Sequence, residues 1–290
     1  MNNASEGDTI IVRDAYTGTK ENIVVNVTHL TIQSKNGTAN CTVNASDSSD
    51  HVFDVSVAYV NISRFTVTGA TSTSKAGINI GKPGGNCNHC NISNNVVTGN
   101  RYGIYVHSTS NHDTLMNNNV SNNRFGIYLH FPDYNNLTNN TVNSNKGSGD
   151  HGGIRVSGSN NNITSNTVNS NNNYGIKIYL TGGKYNTLRN NKISNNNNFG
   201  IYLSSSSNNN LIYNNYFNNT NNAYDEGHNT WNITKQAGTN IVGGPYLGGN
   251  YWSDYTGVDN DGDGLGDTLR PYNCSGNITT GGGLASVGLS

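Results

Sequence analysis

One short phrase returns six times in this chain, and the spacing of its returns leaves few folds open. The phrase is an aliphatic residue, two positions, Asn, one position, then an apolar residue. It runs from Ile92-x-x-Asn95-x-Val97 through Leu115-x-x-Asn118-x-Val120, Leu137-x-x-Asn140-x-Val142, Ile163-x-x-Asn166-x-Val168 and Leu188-x-x-Asn191-x-Ile193 to Ile212-x-x-Asn215-x-Phe217. Successive asparagines lie 23, 22, 26, 25 and 24 residues apart. A second phrase keeps phase with it: Gly103-Ile-Tyr-Val, Gly126-Ile-Tyr-Leu, Gly153-Ile-Arg-Val, Gly175-Ile-Lys-Ile and Gly200-Ile-Tyr-Leu. A period in this range marks a solenoid, in which each repeat covers the apolar face of its neighbour.

The residue types choose the solenoid. The chain is rich in Asn, Ser and Thr and holds 35 Gly and two Met, a composition poor for helix and rich in turns. Its apolar residues alternate, as Ile104 and Val106 do around Tyr105, and period two is strand. Leucine-rich repeats have a similar period but need a denser Leu pattern. The expected fold is all-β: a single-stranded parallel β-helix with one coil per repeat, right-handed by the crossover rule. Equivalent residues of stacked coils then form ladders. Asn95, Asn118, Asn140, Asn166, Asn191 and Asn215 are expected to form one inward ladder, each amide bonding the coils above and below. Asn also tolerates the left-handed turns such coils need. A ligand-binding role for this ladder is the lesser reading, because the coil needs it anyway. Tyr102, Phe125, Tyr174 and Phe199, each just before the glycine, are expected to stack.

Only 32% of the residues are hydrophobic and 11% charged, which would starve a globular core. A narrow coil buries few side chains per turn. Residues 1–240 are read as β-helix repeats, less regular up to residue 70 and regular over about 71–240. Residues 241–290 break the period and are read as an irregular C-terminal cap over the open end. All four prolines lie outside the repeat phrases, as a ladder of backbone hydrogen bonds requires. The segment from Met1 to Ile10 reads as the middle of a first coil, as in a trimmed or processed chain. A net charge of −1 makes nucleic acid and anionic membrane unsuitable partners. No apolar run is long enough to insert in a membrane.

Three features carry possible chemistry. Asp259, Asp261 and Asp263, then Gly264, Leu265 and Asp267, follow the first three quarters of a calcium loop, with the Leu265 carbonyl as a further ligand. Arg270 stands where that loop expects a bidentate Glu. The expected occupant is structural calcium, and the plain alternative is a solvated acidic turn. Cys41, Cys87, Cys90 and Cys274 suit extracellular disulfides better than a metal site, since Cys87-Asn-His-Cys90 is half a zinc site at most. Sequons at Asn26, Asn61, Asn119 and Asn232 agree with secretion. Finally, the outward positions of the Gly-Ile-x-Val strand align Asn79, Tyr105, Tyr128, Arg155, Lys177 and Tyr202 in one column. A second column holds Gly81, His107, His130, Ser157, Tyr179 and Ser204. Asp133, Asp150 and His151 fall in nearby turns. Stacked aromatics suit sugar faces, and Arg155 beside Lys177 suits a uronate carboxylate. The plain alternative is an exposed sheet face, for which Tyr is a good strand former. His107 and His130 alone would be a weak metal site. Asp225-Glu-Gly-His228 reads as a turn leaving the last coil.

Gly248-Gly-Asn-Tyr-Trp-Ser-Asp-Tyr255, followed by the Asp-rich loop and Pro271-Tyr272, resembles the C-terminal signature of archaeal cell-surface β-helix proteins, notably of methanogens. The coils resemble NosD-like right-handed β-helix repeats, and Asn3 to Val12 resembles the first coil of such proteins; the resemblance implies a pectin-lyase-like solenoid and the same right hand. The resemblance spans nearly the whole chain and implies a cell-surface, extracellular location. The expected function is structural or adhesive, with polysaccharide or surface glycan bound along Tyr105, His107, Tyr128, His130, Arg155, Lys177, Tyr179 and Tyr202. The main alternative is a carbohydrate-active enzyme of lyase, hydrolase or epimerase type, with Arg155, Lys177 and His130 as catalytic candidates. A groove over the stripe would favour the enzyme and a flat face adhesion. A second alternative, copper-site maturation as for NosD itself, lacks a Met/His-rich segment here.

Overall fold

The computed structural model describes residues 3–13, 16–19, 22–150, 152–268 and 275–276. His151, Arg270, Pro271, Tyr272 and Cys274 lie outside these residues. The chain winds as a right-handed parallel β-helix. Every third strand stacks on its predecessor, giving three parallel sheets of nine, ten and ten strands. A representative coil runs through Asn91–Ser93 in the first sheet, Val96–Thr98 in the second and Tyr102–His107 in the third. The alternation seen in the sequence sends Ile92, Val97, Ile104 and Val106 inward, all fully buried. Stacked on their equivalents they form one continuous apolar core, each such side chain contributing roughly 1.5–3 kcal/mol.

The expected asparagine ladder is present. Asn166 is typical: its amide nitrogen donates to the Leu137 carbonyl at 2.8 Å and to Asn191 Oδ1 at 3.0 Å, and its oxygen accepts from the backbone and side chain of Asn140. Asn250 extends the ladder one rung beyond Asn215. Two further ladders, which the repeat phrase did not reveal, fill the other corners. Asn100, Asn123, Asn145, Asn171, Asn196 and Asn219 form one. Asn135, Asn161, Asn186, Asn210 and Asn229 form the other, headed by Asp113. The left-handed residue at each corner is not the ladder asparagine but the one before it, as at Asn94 (φ 57°), Asn117 (φ 57°) and Asn139 (φ 55°). The ladder amide then bridges coils while its predecessor turns the chain.

The glycine of the second phrase answers a packing demand. A Cβ on Gly153 would lie 2.6 Å from the Gly175 carbonyl oxygen and 2.7 Å from Val168 Cγ1. Tyr102 stacks on Phe125 at 4.3 Å between ring centroids, and Tyr174 on Phe199 at 6.3 Å. Gly152 takes the place opposite Tyr174 and separates the two stacks. A ring ladder not expected from the sequence runs along the third corner, His29–Tyr59–His89–His112–Tyr134, with centroid spacings of 4.5 to 5.2 Å.

Past residue 240 the chain still adds to the helix. Tyr251–Trp252 pairs in parallel with Tyr216 and Phe217. Trp231 and Trp252 close on Phe217 and plug that end of the core. No helix among the described residues is long and apolar enough to cross a membrane. The expectation of disulfides is not met among the described residues: Cys41, Cys87 and Cys90 are buried free thiols. Cys90 sits beneath a ladder corner with Sγ 3.3 Å from the Cys87 carbonyl oxygen. Burial pushes Cys87 up to about 11 and Cys90 higher still, which leaves both thiols protonated and unreactive.

Candidate functional site

The outward column of the third sheet falls in register. Asn79, Tyr105, Tyr128, Arg155, Lys177 and Tyr202 lie side by side on successive coils, and His107 lies opposite His130. Asp54 extends the column at one end and Tyr224 at the other. The stripe nevertheless divides into two unlike halves.

Over the N-terminal half lies a groove of about 440 Å³, lined by His51, Asp54, Asn79, Lys82, Tyr102, Tyr105, His107, Tyr128, His130 and Arg155 among others. The Arg155 guanidinium sits 3.9 Å from the Tyr179 ring centroid and 4.8 Å from that of Tyr128. Its Nε is buried without a hydrogen-bond partner, and no carboxylate among the described residues pairs with it. A planar cation held between aromatic faces, with donors to spare, is prepared for a planar anion. The Tyr105 hydroxyl bonds His130 Nδ1, and the Tyr128 and Tyr179 hydroxyls bond each other. Burial pushes Tyr105 up to about 12 and raises Tyr128 too. Burial lowers His130, helped by its neighbours His107 and the Arg155 guanidinium, and burial lowers His107. Both imidazoles are therefore neutral acceptors near pH 7. His51 Nδ1 accepts the Ala76 backbone N–H at 3.0 Å, which leaves its Nε2–H as the remaining donor. Asn79 Nδ2 donates to Asp54 Oδ1 at 2.7 Å.

The C-terminal half is closed on itself. Lys177 is buried, its Nζ 2.6 Å from Asp150 Oδ1 and 4.7 and 4.9 Å from the Tyr174 and Tyr202 ring centroids. Register does bring Arg155 and Lys177 together, but only Arg155 faces the groove. Tyr179 braces Arg155 from below, and Tyr202 stacks on Tyr224 at 5.4 Å. Asp133 is held in a turn by the Ser159 N–H at 2.6 Å. Asp225 is buried and takes Trp231 Nε1–H at 2.8 Å and the Gly227 N–H at 2.8 Å, a structural turn.

His51 and Asp54 escaped notice because they sit in the irregular early coils, and Lys82 because it lies in the loop after Ala76–Ile80, outside the repeat phrases. The faint signal was Phe53-Asp54-Val55, which alternates like Ile78-Asn79-Ile80 and aligns with it but lacks the leading glycine.

In the tail, donor oxygens of Asp259, Asp261 and Asp267 lie within 4.8 Å of one another, the only such group of three donors among the described residues. Asp263 turns away to pair with Lys235. Leu265 is buried, and its N–H donates to Asp263 Oδ1 at 2.7 Å.

Coil, ladders and decorated third sheet define a parallel β-helix with a polar groove on one face. The chain belongs to the NosD family, described as periplasmic copper-binding protein, whose model matches residues 1–151 and 145–257. No curated protein matches the sequence. Among solved structures, the catalytic unit of a thermostable GH87 alpha-1,3-glucanase from Streptomyces thermodiastaticus is similar at 17% identity and TM-score 0.60, over 76% of this chain and 43% of that one. Pectate lyase Pel9A is similar at 14% identity and TM-score 0.57, over 79% and 72%. The mannuronan C-5 epimerase AlgE4 A-module of Azotobacter vinelandii is similar at 15% identity and TM-score 0.54, over 73% and 70%. At such identities the likeness is one of fold. The chain spans less than half the length of the first two structures matched, a tailspike protein at 46% and the glucanase at 43%.

Proposed function

We propose that this protein acts outside the cytoplasm, in a structural or adhesive role, and binds polysaccharide in the groove of its third sheet. The observation that carries this reading is Arg155, an unpaired guanidinium between Tyr128 and Tyr179 in a groove that also presents Tyr105 and two neutral histidines. Ring faces take the apolar faces of sugars, and the cation takes an acidic substituent. The fold neighbours support the reading, since a pectate lyase and a mannuronan epimerase are by name proteins that act on acidic polysaccharides. Titration calorimetry against polygalacturonate, alginate, hyaluronate and neutral dextran tests it. Wild type should bind an acidic polymer and Arg155→Ala should lose most of that affinity. Failure of all four polymers to bind would remove the reading.

We also infer a structural calcium ion on Asp259, Asp261 and Asp267, hard oxygen donors close enough to converge on one cation. Copper fits the described residues poorly. The described residues gather no group of three that includes His or Cys, and a carboxylate trio suits a hard cation better than copper.

A further inference from the structure

The groove that is read above as a glycan site also holds a pair of groups that a binding surface does not need. We propose that Tyr105 and His130, with Arg155, form a catalytic centre that removes the C5 proton of a uronate residue and cleaves the chain by β-elimination. This inference rests on the glycan-binding reading and puts a reaction, with its residues, in place of the adhesive role.

The chemistry follows from what lines the groove. Hydrolysis of a glycosidic bond calls for two carboxyl groups facing each other across it. Among the described lining residues Asp54 is the only carboxylate, and Asn79 holds one of its oxygens. A phenol, neutral imidazoles and a guanidinium suit a different substrate, one with an acidic C–H beside a carboxylate. Neutralising that carboxylate stabilises the carbanion formed when the proton leaves. Arg155 is placed for this. It comes from two coils below Tyr105, and its side chain lies over the ring of Tyr128, which is Tyr105's register neighbour. Lys177, the other cation of the stripe, is spent on Asp150.

The hydroxyl of Tyr105 bonds His130 Nδ1 across adjacent coils, and the ring of His130 is held against Tyr128 at 5.2 Å. The step balances without a cofactor. The Tyr105 oxygen takes the proton from C5 in concert with the passage of its phenolic proton to His130 Nδ1, so that no free phenolate forms. The electron pair left at C5 forms the C4=C5 bond as the C4–O4 bond breaks. The leaving O4 takes the proton from Tyr105, and His130 returns its proton to the Tyr105 oxygen. Burial keeps Tyr105 protonated at rest, so the reaction needs His130 neutral, which its lowered pKa provides. The titratable and charged groups facing His130 are Tyr105, His107, Tyr128 and Arg155. Activity should therefore rise with pH through a value below the ordinary histidine range and then level off.

The test incubates wild-type protein with each polymer it binds, in D2O. Ultraviolet absorbance reads C4=C5 unsaturation, and NMR reads deuterium at C5. Wild type should generate unsaturated ends. Tyr105→Phe should lower the rate by about 10²–10⁴-fold while retaining affinity for the polymer. His130→Gln should lower the rate and abolish the acid limb of the pH profile. Binding without unsaturation, whether or not deuterium enters at C5, would overturn the proposed elimination and leave the binding reading standing. Absence of binding would overturn both. Turnover that survives Tyr105→Phe and His130→Gln in folded protein would overturn the residue assignment.

Discussion

Asp113 heads an asparagine ladder, and replacing it by the residue that the other rungs carry should stabilise the protein. Its Oδ1 accepts the Cys90 N–H at 2.7 Å, and its own N–H donates to Asn135 Oδ1 at 2.7 Å. In the rungs below, the amide nitrogen donates onward, as Asn135 does to Asn161 and Asn161 to Asn186. Asp113 has an oxygen in that place, and Oδ2 is buried without a partner. Burial holds this carboxyl well above the usual carboxylate range. A folded-state pKa above the unfolded value of about 3.9 means that the fold prefers the protonated form. Stability from this group is complete below the unfolded pKa and is lost as pH rises through the folded one. Asp113→Asn supplies the missing donor at every pH. The gain should be about 1–3 kcal/mol near pH 8, the typical penalty of an unsatisfied buried polar group. It should shrink toward zero near pH 4, where the native acid carries its own proton. Thermal unfolding of both proteins at the two pH values reads the difference, with about 2–4 °C expected per kcal/mol. A shift independent of pH, or a loss of stability at pH 8, would mean that Asp113 carries no unmet donor demand in the ladder.

Other expectations follow from the same geometry. Asn166→Ala removes an amide bonded to Asn140, Leu137, Thr164 and Asn191 and should cost about 3–5 kcal/mol in urea denaturation; a loss below about 1 kcal/mol would count against the ladder as a main support. Lys177→Ala, which gives up Asp150 and three ring contacts, should destabilise by about 1–2 kcal/mol yet leave polysaccharide affinity unchanged in calorimetry. Removing calcium with a chelator should lower the melting temperature, by an amount worth about 2.7 kcal/mol if free calcium had stood 100-fold above its dissociation constant. Asp261→Asn should blunt that response, and an unchanged melting curve would argue for a solvated acidic loop.

The winding was legible in the repeat alone. A repeat of 22 to 26 residues with period-two apolar positions has one economical solution, a parallel coil whose ladders follow from the repeat. Backbone pairing between coils is periodic, so whatever recurs in the sequence stacks in space. The Asn95-to-Asn215 ladder, the Tyr102–Phe125 stack and the register of Tyr105, Tyr128, Arg155 and Lys177 were all legible for that reason. The same logic could have exposed the second and third asparagine ladders, which stand about five residues to either side of the first. They were hidden by a chain in which Asn is common everywhere.

Which members of the stripe face the groove depends on contacts between coils that no repeat encodes. Arg155 and Lys177 are neighbours in one column, but Asp150, brought in from a turn a coil away, neutralises Lys177 and leaves Arg155 open. Tyr105 meets His130 diagonally across two coils, a contact set by side-chain direction and not by register. His51 and Asp54 complete the groove from coils whose repeat phrase has decayed. Periodicity fixes which backbones lie together; the partners that irregular turns supply decide which charges remain available to a ligand.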